Sequence, residues 1–382
     1  MTRYERLMTT LNGKPVDRVP VCFYEIDGLS QNPDDHDPFN IFSHPSWKPL
    51  IDLAKEKSDR IVLRGVPFIG GSQEAFMEKD GILKRESYLE DDSRYTRTSI
   101  NIGGKVLTSL ARRDKDINTT WTIEHLLKNS DDLKLWLQLP EYAFDCVPDT
   151  SVVLDAEKKI GDSGIVGIDT GDPLVMVASL FDMAEYTITA MTEPELFHKA
   201  LDKAAAALYR KTEAVAKALP GRLWRICGPE YASPPYLPPA LFREYVTAYV
   251  KPMVEIIHKY GGYARVHSHG RLKDILDMIV ETGCMALDPI EPPQQGDVEL
   301  EYVRKKYGRQ LVLFGNLEAS DLENLPTPRF EEKIMKALRE GTQGEGRGFV
   351  LMPSACPYGR VLPDLALRNY EKMIECAEQA GI

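Results

Sequence analysis

Two histidines in the segment VHSHG carry the clearest chemical signal in this sequence. His267 and His269 stand two apart, and in an extended strand that spacing sends both imidazoles to one face, where they can share a cavity. Imidazole is a frequent zinc ligand, and a thiolate such as Cys356 would complete the nitrogen and sulfur set that tetrahedral zinc favours. Glu230 is a further candidate for metal binding or catalysis, because it follows the run next to the histidine run. Fewer protein ligands than four would leave a position open to substrate, as catalytic zinc requires. The same spacing also suits one histidine hydrogen-bonded in the core with the other binding substrate directly, and Cys356 as a small buried thiol.

Other polar residues stand directly after apolar runs: Glu25, Arg64, Asp169, Asp288 with Glu291, and Asn316. A buried charge is costly unless it is paired or used, so this pattern is itself a site expectation. Asp169, in GIDTGDP, is a candidate catalytic base, and it also lies in a fair N-cap signal for a helix starting near Pro173. Glu25, Arg64, Asp288, Asn316 and Tyr358 are candidate substrate-binding groups. Tyr358 and Arg360 follow Cys356 in SACPYGR, an aromatic and a cation suited to an acidic or aromatic ligand. His36, His44, His125, His198 and His258 fall in loops or on helices and read as surface or core residues.

Positioning these groups requires a regular frame. Short apolar, β-branched runs recur at 19–26, 60–65, 164–171, 222–228, 263–270, 284–292, 311–318 and 348–357, with apolar residues at helical spacing between most of them. Eight strand and helix units predict a (β/α)8 TIM barrel, whose reacting groups come from the C-terminal ends of its strands. An open doubly wound sheet is the competing arrangement, and VPVCFYEIDGLSQNP lacks the Gly-rich phosphate loop that would favour it. The interval after the second run is too long for one helix. Its alternation over 81–114 and the Gly103-Gly104 turn predict a β-hairpin or small sheet, followed by an acidic helical part over 121–140. The expectation is one barrel domain over 1–382, with an insertion at about 81–140 covering the mouth.

The chain has 382 residues, 43% of them hydrophobic and 27% charged, with a net charge of -11. That balance disfavours nucleic acid and anionic membranes as partners and favours a small molecule or a protein. No apolar run approaches the length of a membrane helix and the first residues lack a secretory signal, so a cytoplasmic location is expected. The six cysteines show no CxxC spacing, and a homodimer is compatible with everything above.

Taken in order, ERLMTTLNGKPVDRVPV, GPEYASPPYL, ARVHSHG, ALDPIEPP, LFGNLEASDLE and PSACPYGRVLPDLALRNYEKMIE resemble the uroporphyrinogen decarboxylase superfamily. The resemblance implies a (β/α)8 barrel with one of two chemistries. Metal-free decarboxylases of this kind carry an arginine-rich RQAGRY-type segment near the N-terminus, which RVPVCFYEIDGLSQ lacks. The other branch comprises zinc-dependent methyltransferases that exchange a methyl group with a corrinoid on a separate protein. Their metal signature is H-x-C with a later cysteine. His267 matches the histidine, Cys356 lies in the region of the later cysteine, and His269 replaces the first cysteine, with Glu230 as a possible substitute ligand. The implied function is corrinoid-dependent methyl transfer from a small methyl donor, with O-demethylation of a methoxylated aromatic as the expected reaction. The alternative is metal-free decarboxylation of a small carboxylic acid.

Overall fold

The computed structural model describes residues 1–141 and 146–380. The strands that build it are β1 (Arg60–Arg64), β2 (Leu83–Glu90), β3 (Ser93–Ile102), β4 (Lys105–Arg113), β5 (Thr120–Glu124), β6 (Gly164–Gly171), β7 (Leu223–Cys227), β8 (Tyr263–His267), β9 (Ala286–Asp288), β10 (Val312–Leu317) and β11 (Phe349–Pro353). Strands β1 and β6 to β11 pair in parallel in chain order and curl into a sheet of seven, with helices such as Pro194–Ala218, Ala248–Lys259 and Thr327–Thr342 in the connections. This is a TIM-barrel-like frame.

The eighth place is filled differently from expectation. Residues 19–26 form no regular strand: Val21 alone bridges, in parallel, to Leu351 of β11. Around it the Cys22 N–H donates to Leu351 O at 2.9 Å, and the Asp59 N–H donates to Val21 O at 2.7 Å, just before β1. One residue therefore bridges the two ends of the sheet. Pro20 has no N–H to donate and Glu25 adopts a left-handed φ of 56°, so the run cannot stay extended for longer.

Alternation along the strands divides the side chains between two cores. Cys22, Tyr24, Ile61, Ile165, Leu223, Ala286, Val312, Phe314, Val350 and Met352 pack inside the barrel, with Leu7 and Leu11 of the helix Arg3–Leu11. Their neighbours in sequence, among them Val62, Val166, Trp224, Val266, Leu287, Leu313 and Leu351, pack toward the helices. Continuing each inward register by two residues turns apolar into polar: Leu223 leads to Arg225, Tyr263 to Arg265 and then His267, Ala286 to Asp288, and Phe314 to Asn316. The barrel is thus apolar at its base and polar toward the C-terminal ends of its strands.

Gly315 separates Phe314 from Asn316 with a φ of 149°, and a Cβ there would lie 2.1 Å from the Pro289 carbonyl oxygen. Gly315→Ala is expected to destabilise the fold by about 2 kcal/mol, as overpacking commonly does. Urea denaturation of the variant would show it, and an unchanged midpoint would contradict the close approach.

The insertion forms a four-stranded antiparallel sheet, β2-β3-β4-β5, the small sheet among the two expected forms. Residues 121–124, expected in a helical part, fall in β5, where Thr, Trp and Ile favour extended backbone and pair with β4. The helix is confined to Ser130–Trp136, capped by Asn129. Leu83, Ile100, Ile102 and Leu107 join the main core. Tyr88, Tyr95, Arg112 and Trp121 are register partners in a row across the sheet, and Tyr88 stacks on Tyr95 at 5.4 Å. The end of this sheet is tied to the loop after β11: Asn118 N–H donates to Tyr358 O and Arg360 N–H to Asp116 O, both at 2.7 Å. Among the described residues, no helix is long and apolar enough to cross a membrane.

Candidate active site at the polar end of the barrel

His267 ends β8 and is the register partner of Asp288 at the end of β9. Its Nδ1–H donates to Asp288 Oδ2 at 2.8 Å, which fixes the ring and its tautomer. Asp288 is 0% exposed. Its other oxygen lies 3.1 Å from Arg265 Nε, an ion pair without hydrogen-bond alignment, and the Arg265 guanidinium sits 4.8 Å over the Phe314 ring. Burial opposes ionisation of Asp288, but Arg265 and His267 outweigh it and hold the carboxyl at about 2.

The second ring nitrogen of His267 faces Tyr24 Oη at 3.5 Å. Tyr24 Oη in turn accepts from Arg225 Nη1 at 2.5 Å. Arg225 forks onto Asp169 at 2.8 and 2.9 Å and reaches Glu25 Oε1 at 2.8 Å. Two carboxylates and a phenol oxygen surround this buried guanidinium, so its pKa rises even against burial. Beyond it, Cys356 Sγ lies 4.0 Å from Glu25 Oε2, and burial with that neighbouring carboxylate pushes the thiol up to about 12. A polar chain therefore runs from Asp288 through His267, Tyr24, Arg225 and Glu25 to Cys356.

His269 lies nearer the opening. Its Nδ1–H donates to Glu291 Oε1 at 2.8 Å, while the other Glu291 oxygen accepts from the Gly270 N–H at 2.6 Å. The His267 and His269 rings meet edge to face with centroids 4.6 Å apart. His269 Nε2 has no hydrogen-bond partner among the described residues, and 35% of the side chain is exposed. Burial would lower its pKa, but Glu291, helped by Glu230, raises it.

The remaining candidates are distributed around this centre. Glu230 accepts from the Gly228 N–H at 3.0 Å within the turn Pro229–Ala232. The helix after β6 is capped by Asp172, which accepts from Val175 N–H at 2.7 Å, so Asp169 is left to Arg225. Arg64 donates to Ser30 Oγ and the Leu63 carbonyl. Asp288, expected to bind substrate, is instead sealed beneath His267, where it can only act through that ring. Asn316 is half-buried at the end of β10, and Tyr358 is 56% exposed at the rim.

The donor chemistry fits zinc in part. Both imidazoles give their Nδ1–H to a carboxylate, the arrangement that orients Nε2 toward a metal. Among the described residues, however, no three His, Cys, Asp or Glu side chains stand close enough together to hold an ion. Cys356 is turned to Glu25, and Glu230 to the Gly228 N–H.

Tyr24 is not among the expected site residues, and Arg225 enters only as a possible carboxylate binder of the decarboxylase alternative. Tyr24 and Arg225 carried a signal, each standing two residues beyond an inward apolar position.

The sequence profile of the family described as "Uroporphyrinogen decarboxylase (URO-D)" matches residues 150–380. No curated protein matches the chain in sequence. Among solved structures, a methyltransferase from Methanosarcina mazei superposes with a TM-score of 0.62 at 18% identity, covering 100% of this chain and 99% of that one. The D-psicose 3-epimerase from Clostridium cellulolyticum H10 gives a TM-score of 0.36 at 10% identity, over 60% of this chain and 83% of that one.

Proposed function

The chain belongs to the uroporphyrinogen decarboxylase family, and from that premise we propose that it is a cytoplasmic, corrinoid-dependent methyltransferase that takes a methyl group from a small donor, a methoxylated aromatic, and passes it to a corrinoid on a separate protein. The observation that carries this reading is the carboxylate-backed imidazole pair at the polar end of the barrel, with His269 Nε2 open to the mouth. The full-length likeness to a methyltransferase supports it. So does the state of the interior arginines. Arg225 is taken by Asp169 and Glu25, and Arg265 by Asp288, which leaves neither free to grip an acidic substrate as a decarboxylase of this family would require.

In this reading Tyr358 and Asn316 orient the aromatic donor at the rim. Glu291 holds the His269 ring, and the Asp288 carboxylate holds that of His267. The inserted sheet, tied to the loop that bears Tyr358, keeps water from the mouth. An ether oxygen is a poor leaving group, so a carboxylic acid at a strand end supplies a proton to it as the methyl group departs. Zinc on His267 and His269, with Cys356 or Glu230 as a third donor after rearrangement, would add a Lewis acid for the same oxygen. Metal analysis before and after exhaustive chelation tests this part. The reading expects bound zinc and loss of demethylation on its removal; full activity in a zinc-free protein, or carbon dioxide as the product, would overturn it.

A further inference from the structure

The structure assigns the proton donor. We propose that Glu318, just after β10, protonates the oxygen that gives up its methyl group, a role that rests on the methyl-transfer reading above.

Glu318 and Asn316 line the same small cavity of about 120 Å³, between the end of β10, Pro292-Pro293 and the helix Thr327–Thr342. Glu318 Oε1 is buried there without a hydrogen-bond partner. An ionised carboxylate would leave this oxygen without hydration or a hydrogen bond, which favours the protonated acid. The charges around it sharpen the contrast. Glu291 is satisfied by His269 and the Gly270 N–H, and these hold its pKa down despite burial. Lys333 is engaged by Asp321 at 3.0 Å, and Lys336 by Glu299 at 2.8 Å and Glu340 at 3.8 Å. Burial, with Glu291 and Asp321 as like charges, therefore pushes Glu318 up to about 7, against the opposing pull of His269 and Lys333. Two carboxyl groups whose surroundings drive their pKa values apart are the usual mark of an acid and its charged neighbour.

The step balances. The methyl carbon bonds to the nucleophilic metal of a reduced corrinoid, the C–O electron pair stays on oxygen, and the Glu318 proton completes the new O–H. The carboxylate then recovers a proton from water through the cavity.

The test compares wild type with Glu318→Gln, using free reduced cobalamin as methyl acceptor and methoxyarenes of graded leaving-group acidity. With unactivated methoxyarenes the variant is expected to lose about 100-fold in kcat with KM retained, and less as nitro substituents make the leaving group more acidic. Equal rates, or a loss of the same size for every leaving group, would overturn the assignment. Infrared spectroscopy reads the acid without turnover: wild type should show a carboxylic C=O band that titrates with a midpoint near 7 and is missing from Glu318→Gln. Absence of that band overturns the assignment. A band without methyl transfer by wild type would instead remove the reading on which the role depends.

Discussion

Asp288→Ala is expected to lower folding stability by about 3–5 kcal/mol, the usual cost of leaving one member of a buried ion pair unpaired. Asp288 is 0% exposed and faces two partners, the Arg265 guanidinium and the His267 Nδ1–H. Removing it strands the Arg265 guanidinium inside the barrel and frees His267 to turn. A pH dependence follows from the same contacts. The folded-state pKa of Asp288 is depressed from 3.8 to about 2, so its stabilisation is fully present above pH 4 and is lost as the pH falls toward 2. Urea denaturation at neutral pH gives the first quantity, and a series from pH 5 to pH 2 gives the second. Asp288→Asn should show a shallower acid limb than wild type. A variant as stable as wild type would mean that Arg265 finds solvent or another partner.

His269→Ala is expected to reduce methyl transfer by about 100-fold or more, the scale of losing a principal catalytic group, and to reduce zinc content with it. Of the two imidazoles, His267 has both nitrogens engaged, by Asp288 and Tyr24, whereas His269 keeps Nε2 for the mouth. Glu291→Gln should cost less, about 10-fold to 100-fold, as removal of a residue that orients a ligand typically does. Cys356→Ser is the informative contrast. Its sulfur stands beside Glu25, at the far end of the chain through Tyr24 and Arg225, so a loss within about 10-fold is expected. Initial rates with a methoxylated aromatic, alongside metal analysis of the same preparations, check all three. Loss with Cys356→Ser as severe as with His269→Ala would mean that the thiol joins the histidines when the site is loaded.

Much of this architecture is legible without coordinates. Apolar runs ending in Asp169, His267, Asp288 and Asn316 mark strand ends, because period-two alternation carries an inward apolar position to an inward polar one. The histidine spacing fixed a shared face, and the rings do meet at 4.6 Å. Three features escaped this logic. Residues 19–26 look like a strand by composition, but Pro20 and the left-handed Glu25 leave only Val21 in register. Residues 121–124 lie in an acidic stretch read as helical, yet their Thr, Trp and Ile favour extended backbone and the adjacent edge of β4 pairs them as β5. The Arg225 clamp joins the runs at 19–26, 164–171 and 222–228, so no single run reveals it. Glu318 escaped for a different reason: what distinguishes it is a missing partner, and only packing shows that.

The central claim, that this barrel moves a methyl group from oxygen to a corrinoid, is tested most directly by following the carbon itself. Purified protein would be incubated anaerobically with free reduced cobalamin and methoxylated aromatics carrying ¹³C in the methoxy group, with NMR detection of the label. The account predicts that the label appears bonded to cobalt while the matching phenol accumulates, and that His269→Ala suppresses both. Label remaining on the ether across the donor panel, or leaving it without reaching cobalt, would contradict it.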